Sequence, residues 1–395
     1  MTSVARWSDE VLDAMRLVGD PPADAAIAAI FSAGQLKDAQ AFMSRLMTND
    51  AALPDSIPPA LRNFLESNPM KPFADPSCVE AAQNLFVDHG PEILITLGCY
   101  ALPDAYAARK GVKVLHQTAY LAKRPNRRLF RTMQMVIDVM EPGGLGPEGY
   151  GIRTVQKVRL MHAAVRHQLH HHKSAKWDEL FFGVPINQED LAGTLLTFSF
   201  LSIDGLRKLG ANISSEAAKA YFDTWCGIGR VLGVQPEMIP DSLEAAAELK
   251  EIISRRQFAP SDEGREMTQA LIEMLEKNSP PLLECIPTGL MRLFIQAEIA
   301  DYLGIPTGRL QDEMASMVVG FAKFVDRDLE ESHWRAMFFR HHILSLIEGM
   351  IELEAGNRQD FFRLPTNLHS SWRGVNPDSE AGVWRHLENW VVSRL

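Results

Sequence analysis

The chain has 395 residues, of which 46% are hydrophobic and 23% charged, and its formal net charge is −10. These proportions are ordinary for a folded protein and exclude disorder over most of the chain. The longest apolar stretches, Ile93–Leu102 and Thr194–Ile203, fall short of the roughly 20 residues that a membrane-spanning helix needs. The four cysteines have no C-x-x-C spacing and the N-terminus shows no secretory signal, so we expect a cytoplasmic protein with free thiols.

Helical periodicity begins at the N-terminus. Ser8 precedes an amphipathic stretch that runs to Leu17, which predicts a capped helix. Proline-rich connectors at Leu53–Pro59 and Asn68–Pro76 follow further helical segments. Residues 1–76 are therefore expected to form a helical N-terminal extension.

The rest of the chain shows the same periodicity. Helices are predicted over Asn126–Met140, Ile152–His172, Ser215–Leu232, Ser242–Arg256, Asp262–Lys277, Leu282–Leu303 and Gln311–Ala355. Trp177–Ile186 is predicted to be extended, with a short hairpin at Phe181–Pro185. Asn187 is predicted to cap the next helix, with Asp190 returning the cap. We expect an all-α fold with a central domain at residues 77–335 and C-terminal helices at 336–395 packed on it.

Charge is unevenly distributed along the chain. Between Ala105 and Trp177 there are 14 Lys and Arg residues against three acidic ones, a local net charge of +11, so the remainder carries −21. Because like charges repel, this segment favours a local anionic partner, which can be a phosphate, a carboxylated cofactor, nucleic acid or anionic lipid. The plainer interpretation is a solvated basic helix face.

Two motifs in this segment are weak indicators of function. Gly144–Gly149 matches the G-x-G-x-x-G pattern of a dinucleotide loop, but a predicted helix precedes it, so we interpret it as a flexible linker between helices. His167 and His171 have the i, i+4 spacing of a metal-binding pair. No carboxylate lies nearby in sequence, so a solvated helix end is the favoured interpretation.

The strongest pattern surrounds His162. This residue falls within an apolar helical stripe formed by Val158, Met161, Val165 and Leu169. Arg159 and Arg166 flank the same face, and an imidazole directed into the core between two guanidinium groups suits haem, a planar apolar macrocycle with two carboxylates. The competing interpretation is a core histidine bonded to a backbone carbonyl, with both arginines reaching solvent.

A second basic helix, Asn126–Met140, precedes this one in sequence. It places Arg128 and Thr132 on one flank, with Arg131 between them. A cation and a hydroxyl that face an imidazole are suited to holding O2 or a peroxide. We therefore expect the two helices to pack around one pocket.

Taken together, these residues resemble a known family, the latex clearing protein (rubber oxygenase) family, which includes mycophenolic-acid oxygenase relatives. Two motifs carry the resemblance, and they read Arg128-x-x-Arg131-Thr132 and Arg159-x-x-His162-x-x-x-Arg166-His167. The downstream run Pro185-Ile186-Asn187-Gln188 is also similar to the family pattern.

The resemblance implies a globin-like helical core that binds haem b, with His162 as the ligand of its iron and O2 on the opposite face. The implied cofactor-binding residues are Arg128, Arg159, His162, Arg166 and His167, and the implied catalytic residues are Arg131 and Thr132. The expected activity is oxygenation of a small hydrophobic substrate of isoprenoid or lipid-like type.

The chain departs from the family pattern at two places. Rubber-cleaving members have a lysine where this chain has Arg131, and an arginine stays protonated, so it cannot offer a neutral amine to iron. Those members also use an upstream glutamate as a base. The corresponding stretch Gly111–Tyr120 has no carboxylate and offers Lys113, His116 and Tyr120 instead. The rubber substrate itself is therefore not expected.

Other classes of function stay open on sequence alone. A haem-binding sensor or carrier without turnover would explain the missing acidic base. A helical scaffold without a cofactor, or a protein that binds anionic lipid, would explain the basic segment. Nucleic-acid binding is not expected, because the chain is acidic and its basic residues are not interleaved with aromatic ones. A homodimer is left open.

Overall fold

The structure is a computed structural model that describes residues 6–45, 47–67, 75–122, 125–171, 177–277, 279, 284–308, 365, 368 and 372, without the side chains of residues 119–128 and 130. The predicted all-α class is confirmed. Within these residues the regular elements are helices, apart from one isolated antiparallel bridge between Ala108 and Phe258.

The helices fall into three groups along the chain. The first comprises α1 (Asp9–Arg16), α2 (Pro21–Ser32), α3 (Leu36–Met43) and α4 (Pro59–Ser67). The second comprises α5 (Pro76–Thr96), a π-helical turn (Leu97–Ala101), α6 (Leu102–Ala107), α7 (Arg109–Ala122), α8 (Pro125–Met140) and α9 (Gly151–His171). The third comprises α10 (Glu179–Phe182), α11 (Gln188–Phe198), α12 (Phe200–Leu209), α13 (Ser215–Val231), α14 (Leu243–Gln257), α15 (Asp262–Lys277), α16 (Ile286–Phe294) and α17 (Ala297–Tyr302).

Helices α1–α4 correspond to the predicted N-terminal extension. Ser8 caps α1 as expected, because its side chain accepts a hydrogen bond from the N–H of Val11. Apolar side chains of α2–α4 form a small core that includes Leu160 and Ala163 of α9. The extension therefore packs directly on α9, while the predicted domain boundaries at residues 76 and 335 stay predictions.

The largest core surrounds α5, which packs against α12 and α13. Phe86 of α5 and Tyr221 and Trp225 of α13 are fully buried. Phe198, at the end of α11, stacks on Trp225 with ring centroids 5.0 Å apart. Burial of each such aromatic side chain stabilises the fold by about 1.5–3 kcal/mol, so this interface is the main apolar support of the molecule.

Helix α5 bends at His89, where the backbone is not helical, because Pro91 has no N–H to continue the helix. The carbonyl of Val87, four residues before Pro91, instead accepts a hydrogen bond of 3.0 Å from the indole Nε1 of Trp372. Gly90 permits this approach, since a Cβ there would lie 2.1 Å from the indole ring. A distant residue thus satisfies the carbonyl that the proline leaves without its helical partner.

The glycine motif links α8 and α9, as expected, and forms a compact hydrogen-bonded turn. The carbonyl of Gly144 accepts a hydrogen bond from Gly151 N–H at 2.9 Å. A Cβ at Gly149 would lie 2.2 Å from the same carbonyl oxygen, so the chain can close this tightly only with glycine. A helix precedes the motif, which agrees with the sequence argument against a dinucleotide loop.

Asn49 of the N-terminal extension fixes the start of α9. Its Oδ1 accepts hydrogen bonds from the N–H groups of Ile152 at 3.0 Å and Arg153 at 3.2 Å, as a capping residue would. Its Nδ2 donates to the carbonyls of Gly144 and Gly146 at 3.0 and 2.6 Å. One buried amide therefore holds both the turn and the first residues of the helix.

The predicted extended segment Trp177–Ile186 contains the short helix α10, so the hairpin expected at Phe181–Pro185 is wrong. Asp178 caps α10 by accepting a hydrogen bond from Phe181 N–H. Gly183 then takes a positive φ of 74°, and its carbonyl accepts a hydrogen bond of 2.8 Å from Trp177 Nε1. Capping and turn chemistry outweigh the strand preference of the aromatic run.

The later helices differ from prediction at one place. The single helix expected over Leu282–Leu303 is divided into α16 and α17, and the backbone between them is extended. Lys208 donates a hydrogen bond of 3.1 Å to the carbonyl of Phe294, which replaces the helical partner of that carbonyl. The helices expected over Gln311–Ala355 lie outside the described residues. In the described part of the chain, we find no helix with the length and apolar character needed to cross a bilayer.

Replacing Asn49 with Ala should lower the free energy of unfolding by about 1–3 kcal/mol, because two amide donors lose their acceptor and two carbonyls lose one of their donors. Urea unfolding of the variant measures the loss. The control is Asn63→Ala, which removes an exposed amide from α4 and should change stability by less than about 0.5 kcal/mol. Equal stabilities of the two variants would contradict the capping role of Asn49.

Candidate functional site

The buried face of α9 has His162 at its edge. Its centre is formed by Arg159, Ala163 and Arg166, all of which are buried. The two arginines occupy a buried face because each is paired with a carboxylate of the N-terminal extension, and a charge can be buried when it is paired and hydrogen-bonded. The sequence interpretation in which both arginines reach solvent is therefore wrong.

The apolar stripe around His162 is half-buried. We expected the imidazole of this stripe to be directed into the core, and the partial exposure of the stripe corrects that expectation. Met161 is 38% exposed, and Val158, His162 and Val165 have intermediate exposure. Within the stripe, Leu169 is fully buried. The Nδ1 atom of His162 is shielded from solvent. An open apolar stripe beside an imidazole offers a surface against which a flat apolar molecule can pack.

Arg159 forms a bidentate ion pair with Asp20 at the start of α2. Its Nε donates to Oδ2 at 2.6 Å and its Nη2 to Oδ1 at 2.8 Å. Its Nη1 donates to the carbonyl of Val231 at 3.2 Å, at the end of α13. All three nitrogens of this guanidinium therefore have partners within the protein, and its predicted role in holding a cofactor stays a prediction.

Arg166 pairs with Asp24, one turn further along α2. Its Nε donates to Oδ1 at 2.7 Å, and its Nη1 donates to the carbonyl of Ile186 at 3.1 Å. Ile186 has a φ of 53°, which is unusual for a β-branched residue and directs that carbonyl toward the arginine. The buried Nη2 of Arg166 has no hydrogen-bond partner among the described residues. This arginine thus retains one donor for a carboxylate.

His167 lies against the N-terminal extension. Its ring packs on Phe31 of α2 with centroids 4.3 Å apart and stacks on His171 at 4.1 Å. Burial lowers the pKa of His167, and the neighbouring His171 and His170 lower it further. Among the described residues there is no cluster of three metal-ligating side chains. The predicted cofactor contact of His167 stays a prediction.

Helix α8 carries the other predicted site residues. Thr154 of α9 donates a hydrogen bond of 2.7 Å to the buried Asp138 of α8, which ties the two helices together. Arg131 precedes Asp138 on α8, and His162 follows Thr154 on α9. Each of the two residues lies about 10–12 Å from this hydrogen bond, measured along its own helix. Arg131 is exposed and Thr132 is half-buried.

The backbone of Arg128 also lies within α8, but its side chain is outside the described set. The catalytic and cofactor roles of the three α8 residues stay predictions.

Helix α7 holds Lys113 and His116, which the sequence offers in the stretch where the family resemblance implies a base. Lys113 forms an ion pair with Glu263, and His116 Nε2 lies 2.7 Å from Glu266, both on α15. Burial raises the pKa of Glu263, but the hydrogen bond from Lys113 is among the effects that lower it overall. Both α7 groups are therefore directed toward α15 and are held there by carboxylates.

A buried carboxylate that sequence reasoning missed lies at the start of α11. Glu189 is fully buried and accepts from Arg16 at 3.0 Å, Arg256 at 2.8 Å and Gln257 at 2.8 Å. The preceding Asn187 caps α11 by accepting from Asp190 N–H, as predicted. The residue that directly follows the run resembling the family pattern thus serves as an attachment point for α1 and α14.

Part of the basic segment is neutralised inside the fold. Three of its cations pair with carboxylates from outside the segment, namely Lys113 with Glu263, Arg159 with Asp20 and Arg166 with Asp24. Structural pairing therefore accounts for part of the local positive charge. The prediction of an anionic partner rests on the other cations of the segment and on Arg166 Nη2, a buried donor that the pair with Asp24 does not use.

The fold and these contacts can be compared with known proteins. The solved structure of latex clearing protein LCP in the closed state matches with a TM-score of 0.70 at 20% sequence identity, over 88% of this chain and 92% of that chain. At this identity the match establishes the all-α fold alone. The chain is therefore an all-α protein with the fold of that structure.

The sequence comparisons establish the family. The family described as "ER-bound oxygenase mpaB/B'/Rubber oxygenase, catalytic domain" matches residues 92–327, more than half of the chain. The rubber oxygenase of Streptomyces sp. (strain K30) is 26% identical over 300 residues, which cover 73% of this chain and 71% of that protein. The chain belongs to the rubber oxygenase family, as its motifs implied, and is an oxidoreductase of the oxygenase class.

Replacing Glu189 with Gln should lower the free energy of unfolding by about 1–3 kcal/mol, because Arg16 and Arg256 lose their shared buried carboxylate and keep only their pairs with Asp190, Asp9 and Asp13. Thermal or urea unfolding measures the change. Glu248→Gln, at an exposed position of α14, is the matched control and should be close to neutral. A nearly neutral Glu189→Gln variant would show that the network does not depend on the charge.

Proposed function

We propose that this protein is a haem b-dependent oxygenase that acts on a small hydrophobic substrate of isoprenoid or lipid-like type, with His162 as the iron ligand. The observation that carries the proposal is the position of this imidazole. It lies in a half-buried apolar stripe of α9, within the part of the chain that matches the oxygenase family. The substrate class is supported by the name of the Streptomyces relative, a rubber oxygenase.

The residues present fit such a cofactor in three respects. A histidine nitrogen is a common ligand of haem iron. Val158, Met161 and Val165 offer apolar contact on either side of the imidazole without being fully buried. The unpartnered Nη2 of Arg166 is a buried donor for a propionate carboxylate. Haem b supplies, when bound, the redox chemistry by which dioxygen is activated.

The chain's own residues contribute charge and orientation. Arg131 stays protonated at any pH the protein tolerates, so it can stabilise negative charge that develops on oxygen but cannot accept a proton. The hydroxyl of Thr132 is a hydrogen-bond donor on the same helix. Arg128 and His167 are proposed as further residues of the cofactor neighbourhood, and Arg159 holds α9 in place through Asp20.

His162→Ala should abolish the Soret absorption band of the purified protein, because the iron loses its protein ligand. His162→Gln, which keeps a polar side chain of similar length, should lose the band as well. The control is His171→Ala, which removes an imidazole from the same helix and should retain the band. Circular dichroism checks that all three variants stay folded. Full haem content in both His162 variants would remove the basis of the proposal.

A sensor or carrier without turnover is the second candidate function. It is favoured by the absence of a carboxylate in Gly111–Tyr120, together with the pairing of Lys113 and His116 to α15. Such a protein would bind haem through the same residues and would not convert substrate.

Turnover separates the two candidates. The reduced oxygenase should consume O2 in the presence of an isoprenoid alkene and form a carbonyl product, detected by oxygen electrode and mass spectrometry. Thr132→Val should lower this rate by roughly 10–1,000-fold if its hydroxyl stabilises developing charge. Thr194→Val, at an exposed position of α11, is the control. An absorption spectrum that changes once when O2 is added to the reduced protein, and then stays unchanged when the alkene is added, favours the sensor.

A further inference from the structure

Two ion pairs bracket His162 along α9. Arg159 lies three residues before it and Arg166 four residues after it, and each is paired with an aspartate of α2. We propose that Asp20 and Asp24 are positioning residues for the imidazole of His162, so that the N-terminal extension is part of the functional site. The proposal rests on the proposed function in that it takes His162 as the ligand.

The spacing of the two pairs fixes the rotation of α9 about its own axis. Arg159 and Arg166 are seven residues apart, almost two full turns, so they lie on one line of the helix about 10 Å apart. A helix with its side chains has a radius of about 5–6 Å, so a roll of about 10° would displace the tip of a side chain by about 1 Å. Displacement of that order at a reacting centre costs on the order of 100-fold in rate.

The aspartates are themselves held in place. The backbone N–H of Asp20 donates to Asp24 Oδ2 at 3.0 Å, which ties the Asp24 carboxylate to the backbone of Asp20. Gly233, with a φ of 90°, lies against the first pair, and a Cβ there would be 2.5 Å from Asp20 Oδ2 and 2.7 Å from Arg159 Nε. The pair is therefore enclosed between α2, α9 and the end of α13, where a side chain has little freedom to move.

Because these pairs are buried, they are stable only when their hydrogen-bond geometry is good. The side chains of Arg159 and Asp20 are 8% and 4% exposed. Removing two charges from water costs several kcal/mol per ion, and this is offset only when the pairing geometry is good. An alternative roll of α9 would break the bidentate pair, so the pair selects one orientation of the helix. Asp20 and Asp24 lie outside the matched catalytic domain, which begins at residue 92, yet contact arginines inside it.

Asp20→Asn in the full-length chain tests the proposal, because it keeps the shape of the side chain and removes its charge. Haem release is measured by transfer to excess apomyoglobin and should be at least 10-fold faster than in the parent. The double variant Asp20→Asn, Arg159→Gln removes both charges and should restore slow release in part, since no buried charge is then unpaired. Asp223→Asn, which breaks the surface pair with Lys219, is the control and should change nothing.

Asn49→Ala separates positioning from stability, because it weakens the start of the same helix without touching either pair. Haem release from Asn49→Ala and from Asp20→Asn is compared at denaturant concentrations that give the two variants equal free energies of unfolding. Faster release from Asp20→Asn alone supports the proposal, and equal release from both overturns it. If Asp20→Asn does not fold, Asp24→Asn takes its place, since the Asp24 side chain is 36% exposed and its loss costs less.

The imidazole signal of His162 in the haem-free protein gives a second, independent measurement. In carbon–proton NMR spectra, Asp20→Asn should shift or split this signal, and the double variant should bring it back toward the parent position. An unchanged signal overturns the proposal, whether or not the protein binds haem. Failure of the proposed function shows differently, as a parent protein that takes up no haem or a His162→Ala variant that retains it.

Discussion

The bidentate pair between Asp20 and Arg159 is the interaction on which the arrangement of the site depends. It joins residues 139 positions apart in sequence and is almost fully buried. Because an unpaired charge there would cost several kcal/mol, α2 and α9 cannot separate without a large penalty. The same contact sets the direction in which His162 projects, and it allows a charged arginine to lie on the buried face of α9.

Local signals in the sequence were sufficient for most of the helices. Asp262–Lys277 begins and ends where the periodicity predicts, and the caps of Ser8 and Asn187 form as expected, because a cap depends on residues within three positions. The hairpin predicted at Phe181–Pro185 does not form, and the cause is again a local cap. Aromatic residues favour strands only where a sheet is available, and here Asp178 starts a helical turn instead.

The sequence motifs indicated candidate site residues but not their surroundings. His162 and its two arginines lie within the part of the chain that matches the family, and their roles stay predictions. Which face of α9 is buried could not be read from apolar spacing, because carboxylates from a separate part of the chain allow two arginines to be buried while Met161 stays 38% exposed. Glu189 was missed for the same reason. Its partners come from α1 and α14, and no local pattern reports such distant pairing.

The bond between Trp372 and the carbonyl of Val87 has a consequence for biosynthesis. Pro91 leaves that carbonyl without its helical donor, and the indole that satisfies it is translated almost 300 residues later, at a sequence separation of 285. During synthesis, the bend of α5 must therefore stay hydrated until Trp372 has left the ribosome. Final dehydration of this helix is then a late event that requires two segments far apart in the polypeptide.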